Sequence, residues 1–216
     1  MPPILLGGRE YPRDRTGNGV GADKLKRGNL MPEEMNDYSG PFNPNLTFDC
    51  FSKEFLLKLM KTWQYAWLHM SGAWYEAVKS RWGDDAANAC ELEAWVKVGE
   101  RVNPRFAKIA NIELKTVLDS LKALQLPLDN TTDDLFRAQA KIISPNHVIW
   151  TIPRCKTLDI FEKSMPERIK PMCEVLEPAV IAKYLINPKV KLKALKLPPR
   201  KSKDEIACQW EITLEE

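Results

Sequence analysis

The spacing of apolar residues changes partway along this chain, and that change limits the possible folds more than any composition value. Between Phe55 and Leu124 the apolar positions mostly recur every three or four residues, the period of a helix with one buried stripe. From Phe136 they recur every second residue. Phe136, Ala138, Ala140 and Ile142 alternate with Arg137, Gln139 and Lys141, as in a strand buried on one face. The alternation is cleanest at the end, where Ile206, Cys208, Trp210, Ile212 and Leu214 share one face. Glu205, Gln209, Glu211, Thr213 and Glu215 share the other.

Local signals place the element boundaries. Ser52 precedes Lys53-Glu54-Phe55 and can cap free backbone amides, so a long helix is expected from there to about Trp82. Gly83 ends it, and Asp84 or Asp85 starts a second helix through Ala87, Cys90, Leu92 and Trp95. Asn103-Pro104 reads as a cap with proline at the first helical position. It opens a third helical region, broken near Asn111, whose buried stripe is Leu114, Val117, Leu118, Leu121 and Leu124. Ser144-Pro145-Asn146 is a turn between the strand ending at Ile142 and a second strand, His147 to Ile152. Residues 157–187 return to a helical pattern, carried by Val175, Leu176, Val180, Ile181, Tyr184 and Leu185, until Pro188 stops it. Val190 to Leu197 and the last strand then form a second hairpin.

The order helices, hairpin, helices, hairpin predicts an α+β domain. N-terminal helices pack on one face of an antiparallel sheet of about four strands. Residues 49–216 form this single domain. Residues 1–48 are set apart as an extended or disordered arm, because they hold seven of the ten glycines and six of the sixteen prolines and show no period. Gly17-Asn18-Gly19-Val20-Gly21 within the arm follows no strand and opens no helix, so it does not read as a phosphate loop.

Composition excludes several function classes. No apolar run approaches the length of a membrane span, and the first residues lack a signal-peptide core, so a cytoplasmic chain is expected. The 32 basic and 29 acidic residues nearly balance, which argues against a nucleic-acid partner. One basic run stands out: Lys189, Lys191, Lys193, Lys196, Arg200, Lys201 and Lys203. It lacks interleaved aromatic residues, and alternating lysines on a strand suit the protection of a sheet edge. Five cysteines without a CxxC pair fit reduced thiols.

Three groups of residues are candidates for chemistry. The chain has seven tryptophans, and Trp63, Trp67 and Trp74 share one helical face with Met70 between them. With Trp150 and Trp210 on the strands, they could wall a cavity for a flat or apolar small molecule, or simply fill the layer between helices and sheet. Cys155, Cys173 and Cys208 come from separate elements. They could converge on zinc or another divalent metal with Glu174, Glu177 or water, or pack as small hydrophobes. The chain has only two histidines. His69 lies within the aromatic helix as a possible general base, with Glu76 as a possible carboxylate partner; His147 sits at a turn.

Three stretches carry a family resemblance. They are Val148-Ile149-Trp150-Thr151-Ile152-Pro153-Arg154-Cys155, the Cys173-Glu174 connection, and Leu197-Pro198-Pro199-Arg200 through Cys208-Gln209-Trp210. Together they resemble a family of uncharacterised microbial cytosolic proteins over about the last 175 residues, from Gly40-Pro41-Phe42-Asn43-Pro44. That group is distantly similar to L-2-amino-thiazoline-4-carboxylic acid hydrolase-like proteins and to vinyl reductase-type small-molecule-binding domains. The latter resemblance implies a ligand cavity between helices and sheet and zinc held by cysteines. Cys208 matches the final cysteine of that pattern. The place of its near neighbour is taken by the Pro198 to Lys203 segment, so Cys173 would have to supply a thiolate from another element.

Two readings follow. One is a small-molecule-binding α+β protein, extended to a metal-assisted hydrolase of a carbon–nitrogen bond in a cyclic amide or amidine. The other is a non-catalytic accessory subunit that uses residues 1–48 for homo-oligomerisation or for binding a protein partner.

Overall fold

A computed structural model describes residues 34–127, 135–136 and 138–214. Most of the expected arm, with its glycine run, lies outside these residues, as do Arg137 and Glu215.

The helical half is a hairpin. A single helical element, α1 (Lys53–Ile109), is broken at Gly83, whose φ of 85° and ψ of 174° no helix can accommodate. The φ lies in the region glycine enters without a Cβ penalty. The chain therefore turns back on itself there, and we call the stretches before and after Gly83 the N-limb and the C-limb. Contacts between the limbs mark the reversal. Trp67 meets Trp95 edge to face at 5.7 Å, Trp95 Nε1 donates to Ser71 Oγ at 3.2 Å, and Tyr75, Val78 and Ala87 form a small buried cluster. Ser52 caps the N-limb as its sequence implies, accepting from the Phe55 amide at 3.2 Å.

One expected boundary is corrected. Asn103-Pro104 does not start a new helix, because Pro104 lies inside the C-limb, which continues to Ile109. Proline removes one internal hydrogen bond, but buried Asn103 and Ala107 hold this turn in the packed interior. The break comes at Asn111, with a φ of 52°. The next helix, α2 (Val117–Leu124), opens with a reciprocal cap between Thr116 and Asp119.

The remaining elements are β1 (Gln139–Ser144), β2 (His147–Ile152), α3 (Lys156–Ser164), α4 (Glu177–Tyr184), β3 (Val190–Lys196) and β4 (Cys208–Leu214). A short 3-10 turn, Pro166–Arg168, and a wide turn with the i→i+5 pattern, Pro171–Leu176, separate α3 from α4. The expected continuous helix over 157–187 is therefore divided. Pro166, Pro171 and Pro178 each remove a backbone donor from the helical ladder.

All strand pairs are antiparallel, in the order β1-β2-β4-β3. The two hairpins join through β2 and β4, with Trp150 opposite Trp210 and Ile152 opposite Cys208. The α+β architecture is thus as the sequence predicts. Val148, Trp210 and Ile212 on the inner face pack with Val117, Leu121 and Leu124 of α2 and with Val180 and Tyr184 of α4. Each large side chain buried in this layer contributes about 1.5–3 kcal/mol. β3 is an edge strand, which fits its alternating lysines. Lys193 lies 3.5 Å from Glu211, and Lys196 lies 3.0 Å from Glu205.

Candidate functional site

The three candidate thiols lie in one neighbourhood of the fold, near enough for their charges to act on one another. Cys155 caps the start of α3, its sulfur accepting from the Leu158 amide at 3.5 Å. Cys173 lies on the wide turn before α4, and Cys208 opens β4, its sulfur accepting from Trp210 Nε1 at 3.3 Å. All three are partly buried and close enough to influence one another electrostatically. Burial is the main cause that raises each thiol above its ordinary value. The Glu177 carboxylate adds to the rise at all three positions, and the neighbouring thiols add to it at Cys173 and Cys208. Cys208 is pushed up to about 12. At neutral pH these are protonated, soft, weakly polar groups rather than nucleophiles.

The local backbone explains how Cys173 reaches this place. Pro171 and Pro178 bracket its segment, and the i→i+5 turn widens the helix where the thiol sits. Such turns occur frequently at functional sites. Thiolate sulfur would suit a thiophilic metal. Yet among the described residues no group of three or more His, Cys, Asp or Glu side chains is placed to hold an ion. Cys155, Cys173, Cys208 and Glu174 do not close into a metal cage in this geometry, and Glu174 is exposed.

The tryptophans divide into two sets instead of meeting. Trp210 is buried and Trp150 half-buried in the layer between helices and sheet, close to Cys208. Trp63, Trp67, Met70 and Trp74 lie on the exposed side of the N-limb, with Trp63 61% and Met70 67% accessible. Among the described residues the exposed tryptophans of the N-limb therefore do not share a wall with Trp150 and Trp210. The hairpin reason is simple: the N-limb is backed by its own C-limb, and α2 and α4 occupy the sheet face. His69 and Glu76 go with the exposed set. His69 stacks on Tyr65 with ring centroids 5.6 Å apart, and both His69 and Glu76 are exposed. Neither stands beside the thiols. His147 pairs with Glu211 at 2.9 Å. An open depression of about 460 Å³ at the β1–β2 turn contains His147 and Thr213 but none of the expected ligand or thiol residues.

A buried ionic cluster joins the hairpin to the 3-10 turn and has no signature in the sequence. Arg168 pairs with Glu91, and both are nearly inaccessible. The guanidinium lies 3.5 Å from the centroid of the Tyr75 ring and 4.8 Å from that of Phe161. Burial pushes the Glu91 carboxyl above its ordinary value, and Arg168 opposes that rise. The Tyr75 hydroxyl reaches Asp84 and Asn88 just past the Gly83 turn. The partners are 77 positions apart in the chain, so only the folded hairpin reveals them. A second arginine, Arg200, holds the β3–β4 connection against Asp159 and Glu162 of α3.

No helix among the described residues is long and apolar enough to cross a membrane. Comparison with curated proteins and with solved structures returns no match. Residues 49–214, which carry the hairpin, the sheet and all three clustered thiols, match the family of unknown function DUF6125, and the chain belongs to that family.

Proposed function

We propose that this chain is a small-molecule-binding α+β protein whose ligand engages the thiol cluster of Cys155, Cys173 and Cys208. The supporting observation is the convergence of three protonated thiols, from three separate elements, beside Glu177 and the two sheet tryptophans. Polarisable sulfur and indole faces suit a soft, ring-containing molecule, and Glu177 offers an acceptor for a cationic or N–H-bearing group. A cyclic amide or amidine has those features. Hydrolysis of such a ring would need a proton carrier, and His69 and Glu76 lie elsewhere, so the reading stops at binding.

The test is a thermal-shift titration with a panel of cyclic amides and amidines, alongside zinc as a separate arm. A ligand that binds only the folded state raises the midpoint in proportion to the logarithm of its concentration. The expected result is a shift with at least one organic probe that Cys173→Ser and Trp150→Ala abolish. No organic shift, or a shift these variants leave unchanged, sinks the reading. A zinc shift lost in Cys173→Ser would instead show that the thiols rearrange around a metal.

The raised thiols also predict a pH dependence. Above the unfolded thiol value of about 8.5 the folded chain retains protons that the unfolded chain has lost, so stability falls as pH rises toward 12. Urea unfolding across that range should show Cys208→Ala flattening the decline by up to about 1.4 kcal/mol per pH unit. An unchanged slope would mean that Cys208 titrates as it does in the unfolded chain.

A further inference from the structure

We infer that the N-limb is the contact surface of a symmetric dimer, in which the same apolar stripe on two copies of this chain meets to form a four-helix core. The argument starts from two seams on one helix. Gln64, Ser71, Tyr75 and Val78 are spaced by seven, four and three residues. Gln64, Tyr75 and Val78 are buried, and Ser71, Tyr75 and Val78 meet the C-limb. Leu56, Met60, Trp63, Trp67, Met70 and Trp74 make a second seam, spaced by four, three, four, three and four residues. At about 100° per residue the two seams lie about 70° apart around the helix axis. A helix of a four-helix bundle has this layout, with one neighbour on each of two adjacent faces. Here the first neighbour is the C-limb, and among the described residues the second face has none beyond the edge of Trp67 on Trp95.

Area and composition favour a second copy as the cover. The last five residues of the second seam are 39% to 67% accessible, all large and apolar. Taking about 200 Å² for a side chain of this size, they expose about 500 Å² on each chain. Ala66 and Ala73 flank the stripe on the side away from Gln64 and Tyr75, where small side chains allow close approach of a second helix. A symmetric pair would hide about 1,000 Å² from these five side chains alone, the lower limit for a biological interface. The stripe carries no charge, so burying it against itself opposes no like charges. An isologous contact also closes after two copies and leaves nothing to propagate.

The experiment is the solution mass of the full chain by light scattering and sedimentation equilibrium at micromolar concentrations. The expected mass is twice the chain mass of 24.7 kDa. Met70→Glu and Trp63→Glu, at exposed positions that make no contact with the C-limb seam, should each give the single-chain mass with unchanged far-ultraviolet helicity. Loss of helicity in either variant sends the test to Met60→Ser, which keeps a neutral surface and should weaken the dimer at least tenfold. A wild-type chain that stays at 24.7 kDa overturns the inference. So does a dimer that survives all three substitutions. A monomer whose tryptophans become accessible to iodide only after residues 1–33 are removed would assign the cover to that segment and also overturn it.

Discussion

The two limbs of the helical hairpin have similar apolar content but different fates. The C-limb turns Gly99 and Asn103 inward and lays its length against α4. The Gly99 backbone comes so close that an added Cβ would sit 2.9 Å from Lys183 Cβ and 3.1 Å from Tyr184 Cδ1. The N-limb turns only a narrow seam to its partner and leaves four tryptophans and two methionines exposed. An apolar stripe with a helical period shows that a face is meant to be covered, but it does not say by what. For the C-limb the cover is the same chain; for the outer stripe of the N-limb the described residues show only the edge of Trp67 on Trp95.

Substitutions can sharpen or break this contrast. The largest effect is expected at Glu91 on the C-limb. Glu91→Ala strands the Arg168 charge between Tyr75 and Phe161, and urea unfolding should show a loss of about 3–5 kcal/mol. A loss below that range would mean that Arg168 escapes to water and that the C-limb is less firmly anchored than its burial suggests. Next comes Gly99→Ala, which overpacks the contact with α4 and should cost about 1–3 kcal/mol. The smallest effect has the opposite sign. Gly72 on the N-limb has nothing within 4 Å of an added Cβ, so Gly72→Ala should stabilise the helix by about 0.5–1 kcal/mol. If calorimetry gave Gly72→Ala and Gly99→Ala the same sign, the two limbs would not differ in packing as described.

The strand positions, their pairing partners within each hairpin and the break at Gly83 were legible because each has a local cause. The half-buried face expected for the first strand is corrected: β1 pairs with β2 only, at the sheet edge, and is exposed throughout. Period two marks a half-buried strand, and a lone glycine between two helical patterns marks a turn. Of the three thiols only Cys208 had an inward position readable from its strand; Cys155 and Cys173 sit at a cap and on an irregular turn, where no period marks a face. What could not be read was the relation between elements. Trp67 and Trp150 look equivalent on paper, but the hairpin gives one to solvent and the other to the sheet layer. The Arg168–Glu91 pair was hidden for the same reason, as no rule of spacing links a 3-10 turn to the middle of a distant helix. Pro104 misled in a simpler way. Proline starts a helix readily, but the burial around Asn103 and Ala107 lets it stay inside one.

The joining of the two hairpins through β2 and β4 has a consequence for the order of events during synthesis. The first hairpin is local and can close as soon as His147 to Ile152 has emerged. The edge of β2 that accepts β4 then stays open until Cys208 to Leu214 arrive at the very end of the described chain. Through that interval a strand bearing Val148, Trp150 and Ile152 lacks its partner and presents unpaired amides and carbonyls. A pairing this distant in sequence is slow to form, and exposed edges of this kind recruit other chains. Losing the last seven described residues would therefore do more than shorten the sheet. It would leave the nascent chain in its most adhesive state, so truncation before Cys208 should appear as insoluble protein and not as a smaller folded domain.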